Sequence, residues 1–351
     1  MEPEYISGRG AQMKTANRFI KNQYVAEHPE ALDEPMYSAP TTQIFYEHPK
    51  NVVNKVSSPD LTMMYSINPY QGCEHGCVYC YARNTHEYWG LNAGLDFESK
   101  IIVKKNAASL LEKFLLKPEW QATPLSLSGN TDCYQPVERK LAITRELLMV
   151  LSKYRHPVGL ITKNSLILRD LDILQDLACE NLVHVYISLT TLNEQLRSQM
   201  EPRTASAKKR LATIERLAAS GIPVGIMCAP IIPGLNHHEI PAILKAAADA
   251  GALTAGMTVV RLNGSVGQIF EDWLRKNFPD RFHKVWNQIC DMHGGHVNDS
   301  VFGRRMRGEG NIADVIHQLF RTARKKYFTN REMPPYNLTK FARGGTLTLF
   351  P

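Results

Sequence analysis

Short apolar runs alternate with longer stretches of helical periodicity through the middle of this chain. The runs at 124–129, 157–162, 182–189, 223–231 and 256–262 are apolar enough to predict buried strands. Between them, apolar residues recur every three or four positions. Leu141, Leu147, Leu148 and Leu151 line one face of a first helix, and Leu168, Leu171, Leu174 and Leu177 line the next. Leu211, Ile214 and Leu217 mark a third, which stops at Gly221-Ile-Pro223, where a strand starts. Ile240, Leu244 and the alanine-rich stretch to Ala250 mark a fourth. With a first strand at 63–67, the pattern gives six strand–helix units. Such alternation predicts βαβ units on a parallel sheet. The expected fold class is therefore α/β, a partial (β/α)6 TIM-type barrel, and an open doubly wound sheet fits the same pattern. In both, ligands bind at the C-terminal ends of the strands.

Three regions follow from this, with no internal repeat. Residues 1–60 are polar, with Pro29, Pro35 and Pro40 spaced through them, and read as an N-terminal arm with one strand at Thr42–Tyr46. Residues 61–290 are the core barrel. Residues 291–351 are a C-terminal extension, in which Ile312, Val315, Ile316, Leu319 and Phe320 give one apolar helix face.

Composition narrows the class. A chain of 351 residues holds one large barrel or two smaller domains. It has no run of about 18 apolar residues, so no membrane span is expected. Met1 to Phe19 is polar and lacks the apolar core of a secretory signal. Seven cysteines, an odd number, argue against full disulfide pairing and suit a reducing compartment. The expected location is cytoplasmic.

The net charge of +7 has a place. Residues 303–345 hold ten Lys/Arg against three acids, 10 − 3 = +7, and the whole chain gives 41 − 34 = +7. The excess therefore sits in a basic C-terminal extension, with Arg304, Arg305 and Arg307 ahead of the helix and Arg321, Arg324 and Lys325 on it. Such a footprint suits nucleic acid, or a phosphate-rich small ligand. A solubilising face has the same composition.

The chemistry is concentrated in Gln71-Gly-Cys-Glu-His-Gly-Cys-Val-Tyr-Cys-Tyr81. Cys73, Cys77 and Cys80 follow the spacing C-x3-C-x2-C, just after the predicted strand Thr62–Ile67 and in a loop rich in turn formers (Asn68, Pro69, Gly72, Gly76). Three thiolates so close suit a metal centre. A structural zinc wants a fourth ligand, for which His75 or His86 is available. A cubane iron–sulfur cluster held by three cysteines leaves one iron open for another molecule.

The run from Tyr65-Ser-Ile-Asn-Pro-Tyr-Gln-Gly-Cys73 to Cys80-Tyr-Ala-Arg83 resembles the radical S-adenosylmethionine (SAM) superfamily, in its spore photoproduct lyase-like branch, often labelled "DNA repair photolyase". Gly129-Asn-Thr-Asp-Cys-Tyr-Gln-Pro136, Ile161-Thr-Lys-Asn164, Ser188-Leu-Thr-Thr191, Glu201-Pro-Arg203 and Ala229-Pro-Ile-Ile-Pro-Gly-Leu-Asn236 are similar to that branch too. The resemblance implies a [4Fe–4S] cluster on Cys73, Cys77 and Cys80, with SAM on the fourth iron, and an electron donor such as flavodoxin or ferredoxin. It implies Tyr79 beside adenine, and Gly129 and Asn130 near the SAM amino group, although the common Gly-Gly-Glu is absent there. It implies Lys163 and Arg203 as carboxylate partners and Ser188 toward ribose or carboxylate. Gly225 and the Ile232-Pro-Gly-Leu235 turn match the segment that flanks adenine.

Cys133 follows the second barrel strand. By the same resemblance, in which a further cysteine returns hydrogen to the product radical, it is the expected catalytic hydrogen donor. Cys179, Cys228 and Cys290 fall on helix or strand patterns and are expected to be buried. The pairs His237-His238 and His293/His296 read as surface loop residues. Thr346-Leu-Thr-Leu-Phe350 resembles a sliding-clamp docking peptide without its leading Gln. The expectation is thus a radical SAM enzyme acting on nucleic acid by a DNA repair lyase-like reaction. The alternatives are the same chemistry on a peptide or small molecule, and a noncatalytic iron–sulfur redox sensor that binds nucleic acid.

Overall fold

The computed structural model describes residues 5–20, 41–61 and 63–344. In chain order the elements are β1 (Gln43–Glu47), β2 (Val53–Lys55), β3 (Tyr65–Ile67), β4 (Tyr70–Gln71), α1 (Leu95–Ser99), β5 (Lys100–Lys104), α2 (Ala107–Leu115) and β6 (Leu125–Leu127). Then come α3 (Glu138–Leu141), α4 (Ile143–Lys153), β7 (Val158–Thr162), α5 (Leu171–Cys179), β8 (Val183–Ser188), α6 (Glu194–Met200) and α7 (Ala207–Ala219). The chain continues through β9 (Val224–Ile231), α8 (Ile240–Asp249), β10 (Thr254–Val259), α9 (Val266–Asn277), α10 (Phe282–Met292) and α11 (Gly310–Tyr327).

The main sheet has the order β10-β9-β8-β7-β6-β3-β2. Six of these strands, β3 and β6 to β10, run parallel, and β2 closes one edge antiparallel to β3. No ladder joins β2 to β10 among the described residues, so the barrel is partial, as its six-unit pattern predicts. The predicted strand at 256–262 forms two residues earlier, at Thr254–Val259. The register shifts between Met257 and Val259, and the backbone then leaves the ladder, with Leu262 N bonding Val297 O. The helix marked from Leu168 also starts later. Ser165–Asp170 is a 3-10 turn capped by Asn164, and α5 begins at Leu171.

The core lies between the sheet and its outer helices. Leu147, Leu148 and Leu151 of α4, Leu174 and Leu177 of α5, and Ile214 and Leu217 of α7 are all buried there. Side-chain caps define two helix starts: Asn193 accepts from Leu196 N at α6, and Ser206 from Lys209 N at α7.

The regions expected at residues 60 and 290 are joined through shared structure. Because β2 pairs with β3, the sheet crosses residue 60. A second sheet, β1-β5-β4, adds β1 parallel to β5, and the strand expected at Thr42–Tyr46 is β1. In the extension, α11 packs on α8. Its buried line is Ala313, Ile316, Phe320 and Ala323. Val315, predicted on that face, is instead 52% exposed. The chain then turns under the barrel. Pro334 O meets His184 Nε2 at 2.7 Å, the Tyr336 ring stacks on His184 at 3.9 Å, and Asn337 N bonds Asn181 O. These contacts put residues 334–337 at the N-terminal ends of the strands, as a floor. Among the described residues, no helix is long and apolar enough to cross a membrane.

Candidate active site at the barrel mouth

The cysteine loop follows β3 and β4. Gly72 and Gly76 have φ of +80° and +67°, which glycine adopts at little cost. Gly10 packs flat on the loop, where a Cβ would lie 1.7 Å from Gly76 O. Behind the loop, buried Arg83 donates to Cys77 O at 2.9 Å and pairs with buried Glu98. Glu98 also accepts from Gly10 N (3.0 Å) and Ala11 N (2.7 Å). The N-terminal segment is therefore fastened to the cysteine loop.

Cys73, Cys77 and Cys80 are free thiols, two buried and one partly exposed. Burial, then the Asp132 charge, pushes Cys73 well above its ordinary range. Burial, then Glu201, pushes Cys77 up to about 12. Thiols this reluctant to ionise become thiolates only when a cation takes the proton's place. Each of the other two cysteines adds to the upward push on Cys73, so the three sit within electrostatic reach. They do not converge on a single-ion position. His75 points to Asp132 and His86 packs edge-on against Phe97, so neither completes a tetrahedral zinc site.

The segment 131–135 holds the loop. Gln135 is fully buried, accepts from Glu74 N (2.9 Å) and donates to Gly72 O (3.0 Å). Thr131 Oγ1 donates to Tyr70 O at 2.8 Å. Asp132 lies 3.3 Å from His75 Nδ1 and accepts from Thr162 Oγ1 (2.7 Å) and Lys163 N (2.8 Å). Burial alone would raise the Asp132 pKa, but His75 and these donors outweigh it and hold it at about 2. Cys133 lies in the same segment, its N–H donating to Ser128 Oγ at 2.7 Å. It has zero exposure and belongs to the core between sheet and helices. The residue expected as hydrogen donor is thus enclosed in the packed core, one residue from Asp132.

On the opposite side, Tyr79 donates to buried Glu201, which pairs with buried Arg210. Arg210 in turn donates to Ser188 O at 2.9 Å. Burial would raise Glu201, but Arg210 and Lys163 outweigh it and bring it to about 2. Lys163 follows β7 and places its ammonium 5.9 Å from the Tyr79 ring centre. Burial would lower the Lys163 pKa, yet Cys77 and Glu201 outweigh it, so this cation stays charged.

The other predicted residues fall as follows. Gly129 O accepts from Tyr81 Oη (2.5 Å), and Asn130 is held by Asn68, Gln71 and Thr85. Both lie just beyond β6. Ser188 is buried at the end of β8. Arg203 lies 3.5 Å from Glu74, so the cysteine loop already engages its charge. A Cβ on Gly225 would sit 2.8 Å from Tyr186, which gives this glycine a packing role inside the barrel. Cys228 is buried as expected, Cys290 is partly buried, and Cys179 is exposed at the end of α5. His293 is buried, with Nε2 2.8 Å from Val260 O, and is not a surface loop residue. No sequence motif marks Arg261, which lies just past β10, is partly buried and makes no hydrogen bond or ion pair among the described residues.

Inside the barrel lies a cavity of about 660 Å³, walled by Met63, Ile161, Tyr186, Met227 and Tyr336 beside Gly159. Among the described residues, no Asp, Glu, Lys or Arg lines it.

Residues 67–247 match the family model of the Radical SAM superfamily. The chain belongs to the radical SAM superfamily. An uncharacterized protein of Mycobacterium tuberculosis is 34% identical over 234 residues, 66% of this chain and 69% of that one. An uncharacterized protein of Methanocaldococcus jannaschii is 26% identical over 226 residues, 64% of this chain and 81% of that one. Among solved structures, spore photoproduct lyase with AdoMet and dinucleoside spore photoproduct bound is similar at a TM-score of 0.56. That match has 14% identity and covers 82% of this chain and 80% of that one. At such identity the likeness is one of fold. As a member of this superfamily the protein is a radical SAM enzyme, and the family implies SAM and an iron–sulfur cluster as its cofactors.

Proposed function

We propose that Cys73, Cys77 and Cys80 hold a [4Fe–4S] cluster, and that the enzyme acts on a base in nucleic acid. The observation that carries the cluster reading is the cysteine loop itself. Three free thiols share one loop that is fastened from both sides, by Arg83 and Glu98 and by Gln135. That donor set fits a cluster, in which each thiolate takes a different iron. When bound, the reduced cluster and SAM supply a 5′-deoxyadenosyl radical that takes hydrogen from a substrate.

The chain's own part is to orient and enclose. Lys163 offers a charged ammonium beside Tyr79 for the SAM carboxylate. Asn130 and Gly129 offer polar groups beyond β6 for the amino end. Tyr79, held by Glu201, presents a fixed ring beside the loop. The folded-back N-terminal segment, with buried Arg9, Gly10 and Ala11, keeps water from the back of the loop.

For the substrate, the cavity supports a neutral group entering the barrel, since its walls are mostly apolar, aromatic and thioether, with His184, Thr123, Ser126 and Thr254 as polar members. A nucleobase is such a group. The cations of α11 support a polyanion. Several extension cations have structural work instead: Arg305 pairs with Asp60, Arg304 with Asp299, Lys340 with Glu180, and Arg331 and Arg343 donate to backbone carbonyls. Arg321, Arg324 and Lys325 are exposed and remain for phosphates. The same fold in spore photoproduct lyase is consistent with a lyase-like repair of a damaged base. The test is hydrogen exchange. Reconstituted, reduced enzyme with SAM and ultraviolet-irradiated, base-deuterated DNA is expected to yield deuterated 5′-deoxyadenosine. Deuterium absent from that product, with the nucleoside itself formed, would contradict the nucleic-acid reading.

A further inference from the structure

The Asp132–His75 pair has a geometry that the SAM chemistry does not require. His75 sits midway between Cys73 and Cys77 and is 1% exposed. Its Nδ1 faces the Asp132 carboxylate at 3.3 Å, and its Nε2 meets Asn164 Nδ2 at 3.4 Å. With Nδ1 donating to the carboxylate, Nε2 accepts from the Asn164 amide. The carboxylate is held by three further donors: Thr162 Oγ1, Lys163 N and Tyr134 N at 2.7, 2.8 and 2.9 Å. It therefore cannot swing away. An ordered carboxylate, 11% exposed, has thus been placed against the loop that would carry the cluster.

We infer that Asp132 is a positioning residue which, acting through His75, fixes the cysteine loop and holds the reduction potential of the bound cluster low. The inference rests on the cluster reading given above. Its physical basis is that adding an electron to a cluster beside a fixed negative charge is disfavoured, and burial weakens the screening that would hide this. Outer hydrogen-bond partners of metal ligands act on potential and orientation in the same way.

The test is a redox titration of the anaerobically reconstituted full-length enzyme, followed by electron paramagnetic resonance. Asp132→Asn removes the charge and is expected to raise the potential. At the potential where the wild-type cluster is half reduced, the reduced-to-oxidised ratio should rise by about threefold or more. Asn164→Asp places a second carboxylate on the far side of His75 and is expected to lower the potential. It also keeps the oxygen that accepts from Leu166 N, so it tests the idea even if Asp132→Asn folds poorly. Thr162→Val removes one donor to Asp132 but leaves the charge, and should leave the potential at the wild-type value. Coincident potentials for the wild type, Asp132→Asn and Asn164→Asp would overturn the inference, as would a Thr162→Val shift as large as that of Asp132→Asn. A wild-type protein that holds no cluster would overturn the reading beneath it and the inference together.

Discussion

Tyr79 donates its phenolic hydrogen to Glu201, so the residue between the second and third cysteines is tied to the loop beyond the fourth barrel strand. Glu201 is paired in turn with Arg210, and both are wholly buried. Removing one partner leaves the other charge without compensation. Arg210→Met is expected to cost about 3–5 kcal/mol of stability, read from denaturant unfolding, because a carboxylate is then stranded. Tyr79→Phe removes one hydrogen bond to a charged group and should cost about 1.5–3 kcal/mol.

The buried position of Cys133 separates two roles that the sequence merges. Cys133→Ala is expected to keep the iron content and the rate of 5′-deoxyadenosine formation of the wild type. It should lose about 1–2 kcal/mol of stability for the small void left in the core. Single alanine variants of Cys73, Cys77 and Cys80 should each lose most of the bound iron. A Cys133 variant that keeps its iron but accumulates a radical-derived side product would restore the donor role.

His156 gives a pH dependence away from the candidate site. It is buried, accepts from Trp120 Nε1 at 3.1 Å and faces Phe341 of the C-terminal segment. Burial lowers its pKa from 6.5 to about 4. The unfolded chain therefore binds more protons than the folded one between these values. Stability is complete above about pH 7 and falls as pH drops from 6.5 toward 4. For this one group the loss at pH 5 is about 2 kcal/mol. Denaturation midpoints at pH 8 and pH 5 should differ less in His156→Gln than in the wild type.

The extension divides into staples and free cations, and the two should respond differently. Replacing Arg321, Arg324 and Lys325 with Gln is expected to flatten the salt dependence of oligonucleotide binding. The log–log slope should fall by about 0.7–0.9 for each phosphate that is no longer neutralised. Arg305→Gln, which breaks the partner of Asp60, should lower stability more than it changes that slope. Equal slopes for wild type and the triple variant would place nucleic-acid contacts elsewhere, with Arg261 at the mouth as the next residue to change.

Much of the barrel was legible because each of its strands is a buried apolar run and each intervening helix has one apolar face. The run Leu182–Leu189 and the leucines of α4 and α5 behave that way. Two kinds of feature were not legible. The strand Lys100–Lys104 begins and ends in lysine, is only five residues long and pairs with β1 and β4 outside the barrel, so no periodicity announces it. The polar network at the site depends on side-chain direction. The cysteine spacing identified the loop, but Asp132 and Cys133 are sequence neighbours with different surroundings. Only the fold shows that the carboxylate meets His75 while the thiol enters the core. The tail peptide 346–350 and the prolines at 29, 35 and 40 lie outside the described residues.

The most direct test of the central claim is product analysis after anaerobic reconstitution with iron and sulfide, reduction, and addition of SAM. About four irons per chain and formation of 5′-deoxyadenosine are expected, with both lost when Cys73, Cys77 and Cys80 are replaced together by alanine. A protein that binds one zinc ion in place of the cluster, or that carries the reduced cluster and leaves SAM intact, would contradict it.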